Sequence, residues 1–217
     1  MNILIVAASP DNRAESLRSL ADSADFVIAA DGGAAVALAH GVRPDVVVGD
    51  MDSLSGEDAD ALRRDGVELL AFPPRKDETD LELALLEAVR RGANDITIVG
   101  ALGGRLDHTL GNLYLLTMPE LRGRAACLVD GQVEAFIVWD EAELRGLPGD
   151  TVSLIPLSHE VAGIETDGLE YPLRGESLFM GPGRGISNTL LRDMARVSVG
   201  SGMLLAVVTH QEAYRVR

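Results

Sequence analysis

The 217-residue chain is 47% hydrophobic and carries 34 acidic against 19 basic residues, for a formal charge of −15, with Cys127 as its only cysteine. That apolar content excludes a disordered chain and supports one large or two small domains, while the acidity argues against a nonspecific nucleic-acid surface, which needs a positive stripe. A lone cysteine excludes an internal disulfide and a cysteine metal cluster within one chain.

Short apolar runs predict strands at residues 2–7, 26–29, 45–48, 68–71 and 95–99, separated by alanine- and leucine-rich segments of helical length. The alternation predicts a Rossmann-like α/β domain over residues 1–123, in which loops beyond the strands' carboxyl ends bring distant residues together. Met1-Asn2-Ile3-Leu4-Ile5-Val6 enters the first strand without the pattern of a secretory signal. No apolar stretch approaches the ~20 residues of a bilayer-spanning helix, so a cytoplasmic protein without membrane insertion is expected. The first strand runs into Ala8-Ser9-Pro10-Asp11 rather than a dinucleotide-binding glycine fingerprint, and no Walker phosphate loop occurs.

Three acidic groups follow predicted strands, the pattern of a magnesium and phosphate site. Before them, Asp31-Gly32-Gly33 either shapes a substrate-facing loop or merely joins the second strand to a helix over 34–40. In Gly49-Asp50-Met51-Asp52-Ser53, Asp50 and Asp52 alternate after Val46-Val47-Val48 and can face one cation or cap a turn. Asp77 and Asp80 stand three apart before Leu81, Leu83, Leu85 and Leu86, a spacing that puts both carboxylates on one side of an emerging helix. Capping competes there: Asp77 is a possible N-cap, and Thr79 with Glu82 fits a capping box. Lys76, the only lysine, can approach phosphates or pair with neighbouring acids, and Arg75 carries less weight. Gly103-Gly104-Arg105 offers a glycine turn and a guanidinium to phosphate oxygens. Asp107 completes the metal site or caps the helix of Leu110, Leu113 and Leu116, with His108 positioning the turn.

After about Gly123 helices become scarce, and strands are predicted at 133–138, 151–156, 161–166, 195–199 and 203–209. Residues 124–217 therefore read as a β-rich sandwich or barrel domain. Cys127 reads as a buried strand residue, and Trp139, beside Ile137-Val138, as core or interface packing. Gly181-Pro182-Gly183-Arg184-Gly185 is a tight turn or a weak phosphate loop.

Taken in order, Ala30-Asp31-Gly32-Gly33-Ala34, Gly49-Asp50-Met51-Asp52-Ser53, Lys76-Asp77-Glu78-Thr79-Asp80 and Gly103-Gly104-Arg105-Leu106-Asp107-His108, with Asn112 after them, resemble the motifs of the thiamine pyrophosphokinases. The likeness continues through Ser153-Leu154-Ile155-Pro156-Leu157, Gly168-Leu169-Glu170-Tyr171-Pro172-Leu173 and Gly185-Ile186-Ser187-Asn188. The resemblance implies pyrophosphate transfer from Mg-ATP to thiamine by a homodimer whose active sites lie at the subunit interface. It implies magnesium ligation by Asp50, Asp52, Asp77 and Asp80, with Asp77, Asp80 and Asp52 catalytic. Lys76, Arg105, Asp107 and Asp50 then face ATP, and Ser187, Asn188 and Asp31 face thiamine. The rival readings are a magnesium-dependent phosphohydrolase and a noncatalytic nucleotide-binding module.

Overall fold

In the computed structural model, which describes residues 1–9 and 14–212, β1 (Asn2–Val6) is Asn-Ile-Leu-Ile-Val with Ile3 to Val6 each 1% exposed or less. Such an unbroken apolar run is stable as a strand covered on both faces, the situation of a parallel sheet between helices. β1 pairs in parallel with β2 (Phe26–Ala30) on one flank and with β5 (Asp95–Val99) on the other. β2 continues to β3 (Val46–Gly49) and β3 to β4 (Glu68–Ala71), while β5 continues to β6 (Ala125–Asp130), all parallel. The order β6-β5-β1-β2-β3-β4 reverses direction at β1, and in open α/β sheets ligands bind beyond the carboxyl ends of strands at such a reversal. Pro10 and Asp11, which follow β1, lie outside the described residues.

The crossovers are α1 (Ala14–Ser23), α2 (Gly33–Ala39), α3 (Gly56–Arg64) and α4 (Asp80–Arg90), and α5 (Leu106–Leu115) follows β5. α4 buries Leu81, Leu83, Ala84, Leu85 and Ala88 on its sheet-facing side. Arg91, just past α4, ties the helix to the sheet: its guanidinium lies 4.5 Å over the Phe26 ring, bonds Glu87 at 2.6 Å, and pairs with Glu68 of β4. The first unit comprises Met1–Gly131 and the second begins at Gln132. β6 belongs to the first because it is hydrogen-bonded to β5, with Thr97 opposite Cys127. Cys127 is half-buried there, short of the full burial expected of it.

The second unit is antiparallel. One sheet orders β12 (Asn188–Thr189), β9 (Thr151–Pro156), β14 (Leu204–Thr209) and β7 (Val133–Val138); the other orders β11 (Arg174–Phe179), β10 (Glu160–Asp167), β13 (Met194–Ser198) and β8 (Glu141–Arg145). Val152, Leu154 and Ala206 from the first sheet share one core with Leu144, Val161, Ile164, Leu178 and Val197 from the second, which makes a sandwich. The mixed α/β and β-rich architecture is the one predicted. β8, β11 and β12 were not predicted, and of β6 only Cys127 was read as strand: β8 is polar on alternate residues, β11 runs Arg-Gly-Glu-Ser before its one buried residue, Leu178, and β12 is a two-residue pairing made to Val152 and Thr151.

A buried polar cluster closes this sandwich where β14 ends. Asp150, 1% exposed, accepts from the Leu147 and Gln211 backbone N–H groups and lies 2.9 Å from His210 Nδ1, while Glu134 of β7 lies 3.6 Å from Nε2. Glu134 foremost, with Asp150, raises the His210 pKa above its ordinary 6.5, against the opposing effect of burial. A raised folded pKa contributes stability that is complete below the unfolded value and is lost as pH rises through the folded one. Melting temperature should therefore fall from pH 6 toward alkaline pH, by about 2–4 °C per kcal/mol lost in a chain of this size. His210→Gln should flatten that slope; an unchanged slope in the variant would remove His210 as its source.

Candidate active site

Loops after β1, β2, β3 and β5, with the segment before α4, line a cavity of about 560 Å³ at the sheet's reversal point. β3 ends on Gly49, where an added Cβ would stand 2.8 Å from Asp31 Cβ and 3.1 Å from Asp80 Oδ1. Only a residue without a Cβ lets the end of β2 and the start of α4 approach β3 this closely. Asp31 and Met51 both take left-handed backbone conformations, with φ of 40° and 65°. Such conformations are costly outside glycine and collect at functional sites. Here they turn carboxylates together: oxygen atoms of Asp31, Asp50 and Asp52 all lie within 4.8 Å of one another.

Local bonds hold this geometry. Asp50 Oδ1 accepts from the Asp52 backbone N–H at 3.1 Å, and Ser53 Oγ donates to Asp31 Oδ1 at 2.9 Å. The charges of Asp50 and then Asp31 raise the Asp52 pKa, with lesser contributions from partial desolvation and Asp80. Like charges gathered without compensation favour protonation or a cation. The donor set is hard oxygen, of the kind magnesium takes, so the residues fit that ion. Asp80 adjoins the group and pairs with Lys76 Nζ at 2.9 Å. Asp77, expected among the ligands, is exposed and stands outside both the carboxylate group and the cavity lining. The cap of α4 is Thr79, whose hydroxyl accepts from Glu82 N–H at 3.2 Å, so Asp77 is not the N-cap.

On the β5 side, Gly103 and Gly104 have φ of 88° and 65° and lead into α5, whose N-cap, Arg105, makes no side-chain cap bond. Asp107 does not cap the helix either; it sits in the first turn and receives a forked pair from Arg105, 3.1 Å from Nε and 2.5 Å from Nη2. Arg105 pulls the Asp107 pKa down to about 2. Both side chains are largely exposed, so the pair is weakly held. The loop between β5 and α5 is fastened by Asn112 Nδ2, donating to Ala101 O at 2.7 Å, and by Ser9 Oγ, donating to Leu102 O. Ser9 lines the cavity and carried no functional weight in the sequence; its signal was only its place directly after β1 at the reversal point.

In the second unit, Ser187 has φ of 59° and its N–H donates to Ser153 Oγ at 3.1 Å. The Asn188 side chain is largely engaged: Oδ1 accepts from Tyr171 N–H at 3.0 Å and Thr189 N–H at 2.9 Å, and Nδ2 donates to Tyr171 O at 2.8 Å. It holds the loop carrying Tyr171, which is 66% exposed. The Gly181–Gly185 segment is a structural turn, with Leu154 N–H donating to Gly185 O at 2.8 Å and Arg184 paired to Glu176.

An open α/β sheet with clustered carboxylates, a lysine and an arginine turned toward one cavity at its reversal point defines a phosphate-handling enzyme. Residues 17–128 match the thiamin pyrophosphokinase catalytic domain, and residues 141–204 match the thiamin pyrophosphokinase vitamin B1 binding domain. The chain belongs to the thiamine pyrophosphokinase family. It is 30% identical over 207 residues to the thiamine pyrophosphokinase of Bacillus subtilis, covering 94% of this chain and 97% of that one. A thiamine pyrophosphokinase 1 of Arabidopsis thaliana is 29% identical, over 80% of this chain and 68% of its own. The solved thiamin pyrophosphokinase of Geobacillus thermodenitrificans superposes with a TM-score of 0.83 at 31% identity, covering 96% of this chain and 97% of that chain.

Proposed function

We propose that the protein transfers the pyrophosphoryl group of Mg-ATP to thiamine, forming thiamine diphosphate and AMP. The observation that carries this reading is the cavity lined by Asp31, Asp50, Lys76, Asp80 and Arg105, at whose edge Asp52 clusters with Asp31 and Asp50. Asp50 and Asp52, joined by Asp31, would hold a magnesium ion, with Asp80 on its flank and Asp77, expected as a ligand, farther out. Bound there, the ion would offset phosphate charge and clamp the phosphate oxygens for displacement. Lys76 and Arg105 orient the phosphates, and Asp107 acts through the Arg105 guanidinium it holds. The thiamine primary hydroxyl attacks the β-phosphorus, the bond between that phosphorus and the α to β bridging oxygen breaks, and AMP leaves. We assign the hydroxyl proton to Asp77, exposed between the cavity-lining Lys76 and Glu78. Alignment and preorganised charge, rather than covalent catalysis, supply the acceleration.

Incubation with magnesium, ATP and thiamine tests the reaction. Equal formation of AMP and thiamine diphosphate supports it; phosphate release independent of thiamine supports the hydrolase, and ATP binding without product supports the noncatalytic module. Arg105→Lys should raise the KM for ATP and lower kcat although the charge is kept, because lysine cannot reproduce the directional fork on phosphate oxygens. Unchanged kinetics would remove Arg105 from the phosphate contacts.

On the acceptor side we place Ser187 and Asn188. Asn188→Ala should weaken thiamine use more than ATP binding, since three bonds to the Tyr171 loop and Thr189 disappear together. Separate thiamine and ATP concentration series read this, and a loss confined to ATP would overturn it.

A homodimer fits the apolar stripe of α5, where Leu106, Leu110 and Tyr114 recur every fourth residue at 72, 48 and 54% exposure. Sedimentation velocity decides, a monomer at micromolar concentration counting against it. Among the described residues no helix is long and apolar enough to cross a membrane. We assign the enzyme to the cytoplasm, and cell fractionation checks that assignment.

A further inference from the structure

Lys76 is the chain's only lysine, and 11% of its side chain is exposed. Its ammonium lies 2.9 Å from Asp80 Oδ1, an oxygen beside Gly49 and shut off from solvent. The other basic side chains lining the cavity are Arg105, engaged with Asp107, and His108. Among the described residues, Lys76 is therefore the cation directly paired with the carboxylate side of the cavity. Asp80 Oδ1 and Asp31 approach the same point beside Gly49, so the ammonium stands next to the aspartates that converge for a metal.

An ammonium and a divalent cation cannot both occupy this carboxylate set without repelling each other across a partly dry cavity. A four-carbon stem with rotatable bonds lets the ammonium leave Asp80 for a nearby phosphate oxygen. We infer that Lys76 is a built-in counter-cation, paired to Asp80 and offsetting part of the carboxylate charge in the nucleotide-free enzyme, where it competes with the divalent ion. It yields its place when the metal arrives together with a polyphosphate that gives the ammonium a new partner. The consequence is coupled loading: metal alone binds poorly, whereas metal and nucleotide bind each other's complex well, a reciprocal linkage. This rests on the magnesium and ATP reading above, and goes beyond it in assigning Lys76 a role before the nucleotide arrives.

Mn²⁺ binding to the nucleotide-free protein, measured by loss of the free-ion paramagnetic resonance signal, tests the competition without turnover. Lys76→Gln, which keeps a donor for Asp80 but no charge, should bind Mn²⁺ about tenfold more tightly than the parent, within the usual span of coupled sites, while Lys76→Arg stays close to the parent. The affinity of Lys76→Gln for Mn-ATP should fall. Equal or weaker Mn²⁺ binding by Lys76→Gln without nucleotide overturns the inference. A second measurement needs no variant: protein labelled with ¹³C-lysine gives one lysine ε-resonance, which should move when Mg-ATP binds and stay unmoved under that titration if Lys76 never leaves Asp80. Absence of thiamine diphosphate formation would defeat the functional reading alone, because neither Mn²⁺ affinity nor the lysine resonance depends on product.

Discussion

Asp52→Asn should lower kcat by roughly 10²–10³-fold, the scale of losing one preorganised electrostatic group at a reacting centre, in a protein that remains folded. Asp52 is exposed and sits in the turn after β3, so an amide of the same shape disturbs little packing. What disappears is one charge of a group whose members already repel one another, as the raised Asp52 pKa records. Without metal, therefore, the variant should melt no lower than the parent, and removal of the repulsion favours a slightly higher melting temperature. Asp50→Asn should behave alike in activity. Near-parent turnover at saturating magnesium, ATP and thiamine would exclude Asp52 from the metal-facing set. Asp77→Asn belongs in the same series: a comparable loss supports the proton-accepting role proposed for that exposed residue.

Gly49→Ala should reduce activity by at least about 100-fold, since a misplacement near 1 Å is enough for such a loss, and should also lower stability. The added methyl would sit 2.8 Å from Asp31 Cβ and 3.1 Å from Asp80 Oδ1, on a backbone with φ of 154°. Relief requires moving the end of β2 or the start of α4, and both carry the site's carboxylates. Overpacking of this kind costs typically 1–3 kcal/mol. Gly92→Ala is the matched control: its φ of 82° also disfavours a side chain, but a Cβ there meets nothing within 4 Å. It should lower the melting temperature and leave kcat unchanged. Should both variants lose activity equally, general destabilisation would explain the first result and the close approach at Gly49 would lose its functional meaning.

β1 to β5 were legible almost to the residue because short apolar runs between helical segments are a local property of the chain, whereas of β6 only Cys127 was read as strand. Residues 68–71 and 95–99 coincide with β4 and β5, and β1, β2 and β3 differ by a residue at one or both ends. β8 and β11 were not legible, since Glu141–Arg145 alternates charged side chains with two apolar ones and Arg174–Phe179 opens on Arg-Gly-Glu-Ser, and their strand state depends on pairing with β13 and β10. Capping at the start of α4 was partly legible. Thr79 with Glu82 was among the readings, and the competing choice of Asp77 fell because Thr79 occupies the cap.

Residue types and spacing alone sufficed for the fold class, the family likeness and the acidic segments that carry the chemistry, because these are properties of neighbouring residues. Which carboxylates meet was settled by the order of strands and by a few backbone angles. Asp31, assigned from the resemblance to the acceptor side, lies with Asp50 and Asp52 because β2 and β3 are adjacent and Gly49 lets them close up. Asp80 is turned to Lys76, and Asn188 spends its amide on Tyr171, 17 residues away in the chain. Such contacts join segments whose separation along the sequence says nothing about their distance, and a side chain's partners are set only when the sheets bring those segments together.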